Sequence, residues 1–176
     1  MFRIKPHLLL LILPVFMHLA AGVHYQEVNF KSYTLLLHSF AKNIDWPGET
    51  GKTTFVYGVY GKSKVYDELL NLARTKKVRN MNIEVRTLNT PAEAAACDIV
   101  FVPTSRSSSV KDIATQIKGK PVLMVCERSG YCLKGAAISF NVNEEGTLRF
   151  DINTKVCVQQ KLVVRAQLLQ IADRVY

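Results

Sequence analysis

The sequence predicts an α/β sandwich, three layers deep, with a mainly parallel central sheet, and three observations carry that prediction. Several short segments read as unbroken apolar runs, most plainly Asp98-Ile-Val-Phe-Val102 and Val122-Leu-Met-Val125, as strands do when both faces are buried. They alternate with segments whose apolar residues recur every three or four positions, the period of a helix. Late in the chain the pattern changes: Ala136 to Val142 and Thr147 to Ile152 flank Asn143-Glu-Glu-Gly146, the composition of an antiparallel hairpin turn. The expected architecture has that hairpin at one edge of the sheet and long helices near the N- and C-terminal ends.

The first 22 residues stand apart from this fold. Arg3 and Lys5 form a short positive region, Leu8 to Phe16 an apolar one interrupted by Pro14, and Leu19-Ala20-Ala21-Gly22 supplies small residues for cleavage. Residues 1–22 therefore read as a secretory signal peptide, removed on export. The apolar run is shorter than the roughly 20 residues a membrane span needs, and no later segment reaches that length, so no transmembrane segment is expected in the mature chain. No cysteine follows the apolar run, which argues against a lipid anchor at the cleavage site. Cutting after Gly22 leaves 154 of the 176 residues, and the economical reading is one domain over 23–176. Losing Arg3 and Lys5 takes the formal charge from +9 to +7. An exported protein seldom meets nucleic acid, so the surplus reads as a solvated surface or as attraction to an acidic partner or anionic surface.

Along the mature chain, Tyr33, Leu36, Leu37, Phe40, Ala41 and Ile44 place one apolar stripe on a helix from about residue 25 to 45, stopped by Pro47. The residue before a proline leaves the helical region, which turns Trp46 over the end of the core. Phe55-Val-Tyr-Gly-Val-Tyr60 reads as a strand, and Val65, Tyr66, Leu69, Leu70 and Ala73 as the buried face of the next helix. Lys76, Lys77 and Arg79 follow, where they complement that helix's C-terminus. Asn82 to Leu88 alternates as a strand, Asp98 to Val102 and Val122 to Val125 are the apolar strands, and Val110, Ile113, Ala114 and Ile117 make a helix closed by Gly119. Asn153 or Thr154 can cap the last helix. Its Val158, Leu162, Leu168, Leu169, Ile171, Ala172 and Val175 are apolar enough to require burial.

The chemical motifs exclude more than they assert. Gly58-Val-Tyr-Gly61-Lys62-Ser63 has two residues between its glycines where a phosphate loop needs four. Two loops still share a setting: Gly61, Lys62 and Ser63, and Ser105, Arg106 and Ser107, each lie just beyond a strand and before a helix. Free backbone N–H groups and strand ends of open α/β sheets gather anions there, and the six residues are the candidate ligand-binding set, with a capped helix and polar loop as the plainer alternative. No catalytic residue is assigned: the mature chain has two histidines, His24 and His38, and no Gly-x-Ser-x-Gly elbow. No Cys or His pair has zinc spacing, and no metal or cofactor is expected.

Four cysteines in an oxidising compartment favour bridges. Cys126 and Cys132 are separated by the turn-forming Glu-Arg-Ser-Gly-Tyr, which permits a local disulfide. By elimination Cys97 would pair with Cys157, closing a long loop and contributing on the order of 4 kcal/mol. Three connectivities exist, and spacing does not choose among them. A redox-active pair is disfavoured because Cys-x5-Cys is not the Cys-x-x-Cys of thiol exchangers.

Several segments together resemble the YfiR family of exported (periplasmic) regulatory proteins. They are Phe40-Ala-Lys-Asn-Ile-Asp-Trp46-Pro47, Val59-Tyr-Gly61 with Leu69, Cys97-Asp98-Ile-Val-Phe101-Val, Gly135-Ala-Ala-Ile-Ser-Phe140 leading to Leu148-Arg-Phe150-Asp-Ile152-Asn153, and Ala166-Gln-Leu168-Leu169-Gln-Ile-Ala172. The similarity spans nearly the whole mature chain. It implies a periplasmic α/β protein, often a homodimer, that restrains an inner-membrane signalling enzyme such as a diguanylate cyclase by contacting its periplasmic domain. Disulfide-supported stability and redox sensitivity come with the resemblance. Cys97 falls on a family motif position and Cys157 does not align, while Lys62-Ser-Lys64 departs from the more acidic or proline-containing loop of the family. Three functions follow in order: a regulatory binding protein without a reaction of its own, a periplasmic receptor or carrier for a small molecule or anion, and an enzyme whose groups meet only on folding.

Overall fold

The computed structural model describes residues 29–176. The signal read over residues 1–22, and the expected helix start at residue 25, lie outside the described residues. Asn29 caps the first helix, its Oδ1 accepting from the Ser32 amide at 3.3 Å, and α1 runs Phe30–Asn43. Such a cap satisfies one of the donors left open at a helix start. Tyr33, Leu37, Phe40 and Ala41 are buried along the expected stripe. The helix ends before Pro47 is reached, because Ile44 is extended (φ −120°) and Ile44–Asp45 form a short strand, β1. Trp46 does close the core there, 6% exposed and edge-on to Phe55 with ring centroids 5.2 Å apart.

The chain continues as β2 (Thr54–Tyr60), α2 (Val65–Ala73), β3 (Asn82–Leu88), β4 (Ile99–Val102), α3 (Val110–Ile117), β5 (Leu123–Cys126), β6 (Ile138–Val142), β7 (Leu148–Ile152), α4 (Thr154–Gln159), β8 (Val163–Val164), α5 (Ala166–Ile171) and β9 (Arg174–Val175). Seven strands form one sheet in the order β3-β2-β4-β5-β6-β7-β9, and β1 pairs with β8 separately. Within the large sheet every pairing is parallel except β6 with β7. The α/β class with a mainly parallel sheet is thus the observed fold.

Its layers follow from strand alternation. Phe55, Tyr57, Val59, Ile99, Phe101, Leu123 and Val125 face α1 in one cluster, and Val56, Tyr60, Val100, Val102, Met124 and Cys126 face α3 in another. Both faces of β2, β4 and β5 are therefore buried, which is why these strands read as unbroken apolar runs. Gly58 lets the second layer close: a Cβ there would stand 2.6 Å from Leu88 Cδ1 and 2.7 Å from Cys97 Sγ.

Three expectations are corrected. The β6–β7 hairpin forms around Asn143, whose carbonyl accepts from the Gly146 amide and whose Oδ1 accepts from the Thr147 amide at 2.7 Å. It is not at the sheet edge, because β9 adds in parallel outside β7. The long C-terminal helix is instead two six-residue helices separated by a turn with Lys161 at φ 58° and by β8. Val158 is 72%, Ile171 51% and Val175 51% exposed, against the burial their apolar character predicts. Leu70, expected on the buried face of α2, is 36% exposed.

Candidate functional site

The sheet order contains a switch. From β2 the chain crosses through α2 to β3 on one side, then returns to place β4 on the other side of β2. Ligand sites of open α/β sheets lie in the crevice beyond the carboxyl ends of two such strands. Here that crevice is bordered by the loop after β2, with Gly61, Lys62 and Ser63, and by the turn after β4, with Ser105, Arg106 and Ser107. Gly61 has φ 76°, and a Cβ on it would come within 2.9 Å of Arg106 Nε, so the two loops meet with the Arg106 side chain across Gly61.

The six predicted residues do not all converge. Gly61, Lys62 and Ser63 line a groove of about 430 Å³ completed by Lys64, Tyr66, Asp67 and Thr87. Ser63 Oγ accepts from the Val65 amide at 3.3 Å just ahead of α2, whose N-cap position is Lys64. Ser107 is buried, donates to the Thr104 carbonyl at 2.5 Å, and borders a different groove with Lys111, Tyr131, Leu133 and Lys134. Ser105 and Arg106 are exposed.

A third surface, which the sequence did not single out, lies between the first two helices. Lys31, Thr34 and Leu35 of α1 face Glu68, Asn71 and Leu72 of α2, with Thr75 and Lys76 beyond it, around an open groove of about 440 Å³. Leu35 is 55% exposed there. It sits off the stripe that anchors α1, and an apolar residue off the buried face was the one available signal.

Arg79 also differs from expectation. It does not cap α2, but with φ 51° it turns back to donate to the Ile44 carbonyl at 2.9 Å and to pair with Asp45 and Glu49. Arg165 pairs with the same Asp45 at 2.7 Å, and the Arg165 hydrogen bond is the main cause that holds the Asp45 carboxyl below its usual value. This polar clamp fixes the β1–β8 pair beside the end of α1. His38, on α1, is held below its ordinary value by burial first and then by Lys42 and Lys76.

Neither expected disulfide is formed in this structure, where all four cysteines are free and buried. Cys97 and Cys157 belong to the apolar clusters on opposite faces of the sheet, so the strands separate them. Cys132 Sγ donates to the Asp151 carbonyl at 3.3 Å and meets Ser139 Oγ at 3.3 Å, while Cys126 points into the α3-side cluster. Burial pushes the Cys97 and Cys132 thiols up to about 11 and Cys157 up to about 12, and raises Cys126 as well. In the reduced protein at pH 8, alkylation of these thiols is expected to be at least about tenfold slower than in the unfolded chain, because the thiolate is the reactive form. The folded state holds protons that the unfolded chain releases above its thiol value near 9. Stability should therefore fall as pH rises through that value, seen as a lower urea midpoint at alkaline pH. Rapid labelling of the native protein at pH 8 would contradict the burial.

Among the described residues, no group of three or more His, Cys, Asp or Glu is placed to hold a metal ion, and no helix is long and apolar enough to cross a membrane. The fold and its surfaces define an α/β domain with grooves at a strand-order switch and between two surface helices. The chain belongs to the YfiR/HmsC-like family, whose model matches residues 31–173, and this is a family of periplasmic regulatory proteins. No curated protein matches it. Two solved structures are similar in fold: the ABC domain in complex with L-Trp from Streptococcus pneumonia, at 11% identity and TM-score 0.55, and a conserved domain protein from Vibrio cholerae O1 biovar El Tor, at 12% and 0.54. In each case 84% of this chain is covered, and the chain spans 60% of the other's length.

Proposed function

We propose that this protein is an exported periplasmic regulator, beginning after Gly22, that restrains an inner-membrane signalling enzyme, in the first place a diguanylate cyclase, by binding its periplasmic domain. The observation that carries this reading is the family match across residues 31–173, which takes in almost every described element. The α1–α2 groove is the contact face it favours. An apolar side chain as exposed as Leu35, rimmed by Lys31, Lys76 and Glu68, suits a partly apolar protein surface with a polar rim. The regulator acts by occupancy and carries out no reaction of its own, and a homodimer is compatible with that role. The test is recovery of membrane proteins with tagged protein, with and without reductant. A cyclase-type membrane protein should be retained, and Leu35→Glu should reduce its recovery at least about tenfold, as loss of a buried apolar anchor does. Recovery of no membrane protein under either condition contradicts the proposal.

A second reading, a receptor or carrier for a small molecule or anion, is favoured by one observation: the strand-order switch brings Arg106 across Gly61 beside the groove of Lys62 and Ser63. The Streptococcus neighbour was solved with L-Trp, so that amino acid belongs among the probes with phosphate and nucleotides. On this reading one probe raises the melting temperature, and Lys62→Ala or Arg106→Ala abolishes the shift. No shift with any probe removes it.

A further inference from the structure

Leu133 is 69% exposed, and the backbone around it accounts for this. Tyr131–Lys134 form a single 3₁₀ turn between Gly130 at φ 78° and Gly135 at φ 106°, left-handed positions that suit glycine. The turn buries Tyr131 and Cys132, Tyr131 in the α3-side cluster, and sends Leu133 and Lys134 outward. Between it and the start of α3 runs an open groove of about 600 Å³, with Ser107, Val110 and Lys111 on one side and Tyr131, Leu133 and Lys134 on the other.

This surface carries positive charge with nothing to cancel it. No carboxylate lines the groove, and among the described residues no salt bridge engages Lys111, Arg128 or Lys134. Lys134 Nζ and Arg128 Cζ sit instead 4.7 and 5.9 Å from the centre of the Tyr131 ring, within cation–π range. The neighbouring acids are turned elsewhere. Glu127 Oε2 accepts from the Thr104 amide at 2.7 Å, and Asp112 follows Lys111 by one helical step, about 100° round α3.

We propose that this face docks on an anionic lipid bilayer, with Leu133 entering the acyl boundary and Lys111, Arg128 and Lys134 meeting the phosphate headgroups. The hot spot of a protein interface is an anchor received in a pocket, whereas here the apolar anchor is the chain's own and stands out on a turn. An apolar tip among long-stemmed cations suits a membrane surface: the stems lie along the apolar layer while the charged heads stay in the polar one. The groove gives a headgroup phosphate room beside Lys111 and Lys134. Part of the chain's formal +9 charge thereby acquires a place and a counterpart, since each cation at an anionic surface strengthens binding about fivefold. The α1-side and α3-side clusters lie on opposite faces of the sheet, so docking leaves the α1–α2 groove turned away from the lipid. The inference stands or falls independently of any protein partner.

The test is co-sedimentation of the purified protein with lipid vesicles. Phosphatidylglycerol and phosphatidylcholine in equal parts should retain it and phosphatidylcholine alone should not, with release at about 1 M salt, where charge acts over only about 3 Å. Lys111→Gln with Lys134→Gln should weaken retention about thirtyfold, at about fivefold for each cation. Arg74→Gln with Lys77→Gln makes the same charge change on exposed residues at the end of α2 and should weaken it less than about twofold, being screened from the contact. Leu133→Ser should weaken it about tenfold, since an apolar side chain no longer leaves water. Leu133→Trp should bind, and its emission should move to shorter wavelength on anionic vesicles, while Trp46, buried in the core, reports no change. Equal loss from the two double variants, equal retention by neutral vesicles, an undiminished Leu133→Ser variant or an unshifted emission overturns the proposal. So does release by inorganic phosphate at the concentration of the lipid phosphate, which marks a free-anion site. Retention on immobilised poly-glutamate but not on vesicles overturns it too, and marks an acidic protein as the occupant.

Discussion

Phe140→Ala is expected to destabilise the domain by about 3–5 kcal/mol, the cost of emptying a large aromatic site that cannot collapse. Phe140 on β6 is fully buried. The ring of Tyr33 meets it edge-on at 4.8 Å, and that of Phe40 stacks at 5.9 Å and continues to Phe150 at 4.9 Å. These aromatics are what hold α1 against the hairpin strands, and α1 carries Leu35. The variant should therefore also lose recovery of the membrane partner near its lowered melting temperature. Urea unfolding is the measurement, with the midpoint expected to fall at an unchanged slope. Against a total stability of about 5–15 kcal/mol for such domains, a loss below about 1 kcal/mol would show that the cluster does not anchor the helix.

Asp98→Ala is the second large effect, at about 2–4 kcal/mol, because it orphans buried partners rather than merely removing a contact. Asp98 is 6% exposed and its Oδ2 accepts from the Val56 amide at 2.7 Å, while Lys52 pairs with the other oxygen. Its own amide donates to the Val56 carbonyl and its carbonyl accepts from Leu123. One residue thus ties β2 to the starts of β4 and β5. Asp98→Asn keeps an acceptor for Val56 and should cost less. Lys52→Ala should add little once Asp98 is alanine, since residues in one polar network are not additive. Full additivity of the two changes, or a loss under about 0.5 kcal/mol for Asp98→Ala, would contradict this assignment.

The parts of the fold legible in the sequence are those fixed by local period. Strands buried on both faces cannot alternate, so Ile99–Val102 and Leu123–Cys126 declare themselves, and the stripe of α1 does so by its three- and four-residue spacing. What was not legible depends on distant partners. The C-terminal segment has enough apolar residues for a long helix, yet it breaks where β8 pairs with β1 and Arg165 meets Asp45, 120 positions away. Lys52 is 46 positions from Asp98, and no spacing rule announces a buried tie of that kind. Pairing Cys97 with Cys157 rests on elimination along the chain alone, whereas the sheet places the two on opposite faces. At the strand ends, sequence context found the Gly61 and Arg106 loops. It could not tell that Ser107 turns inward to Thr104, since both orientations suit the same polar turn.

The measurement that bears most directly on the regulator reading is the cyclic diguanylate level of cells that export this protein, compared with cells that lack it and cells that export Leu35→Glu. The account predicts a low level with the wild-type protein and a raised one in both other strains, with the variant folded and present in the periplasm. An identical level in all three, with the protein exported and folded, would contradict the claim that it restrains a diguanylate cyclase by contact.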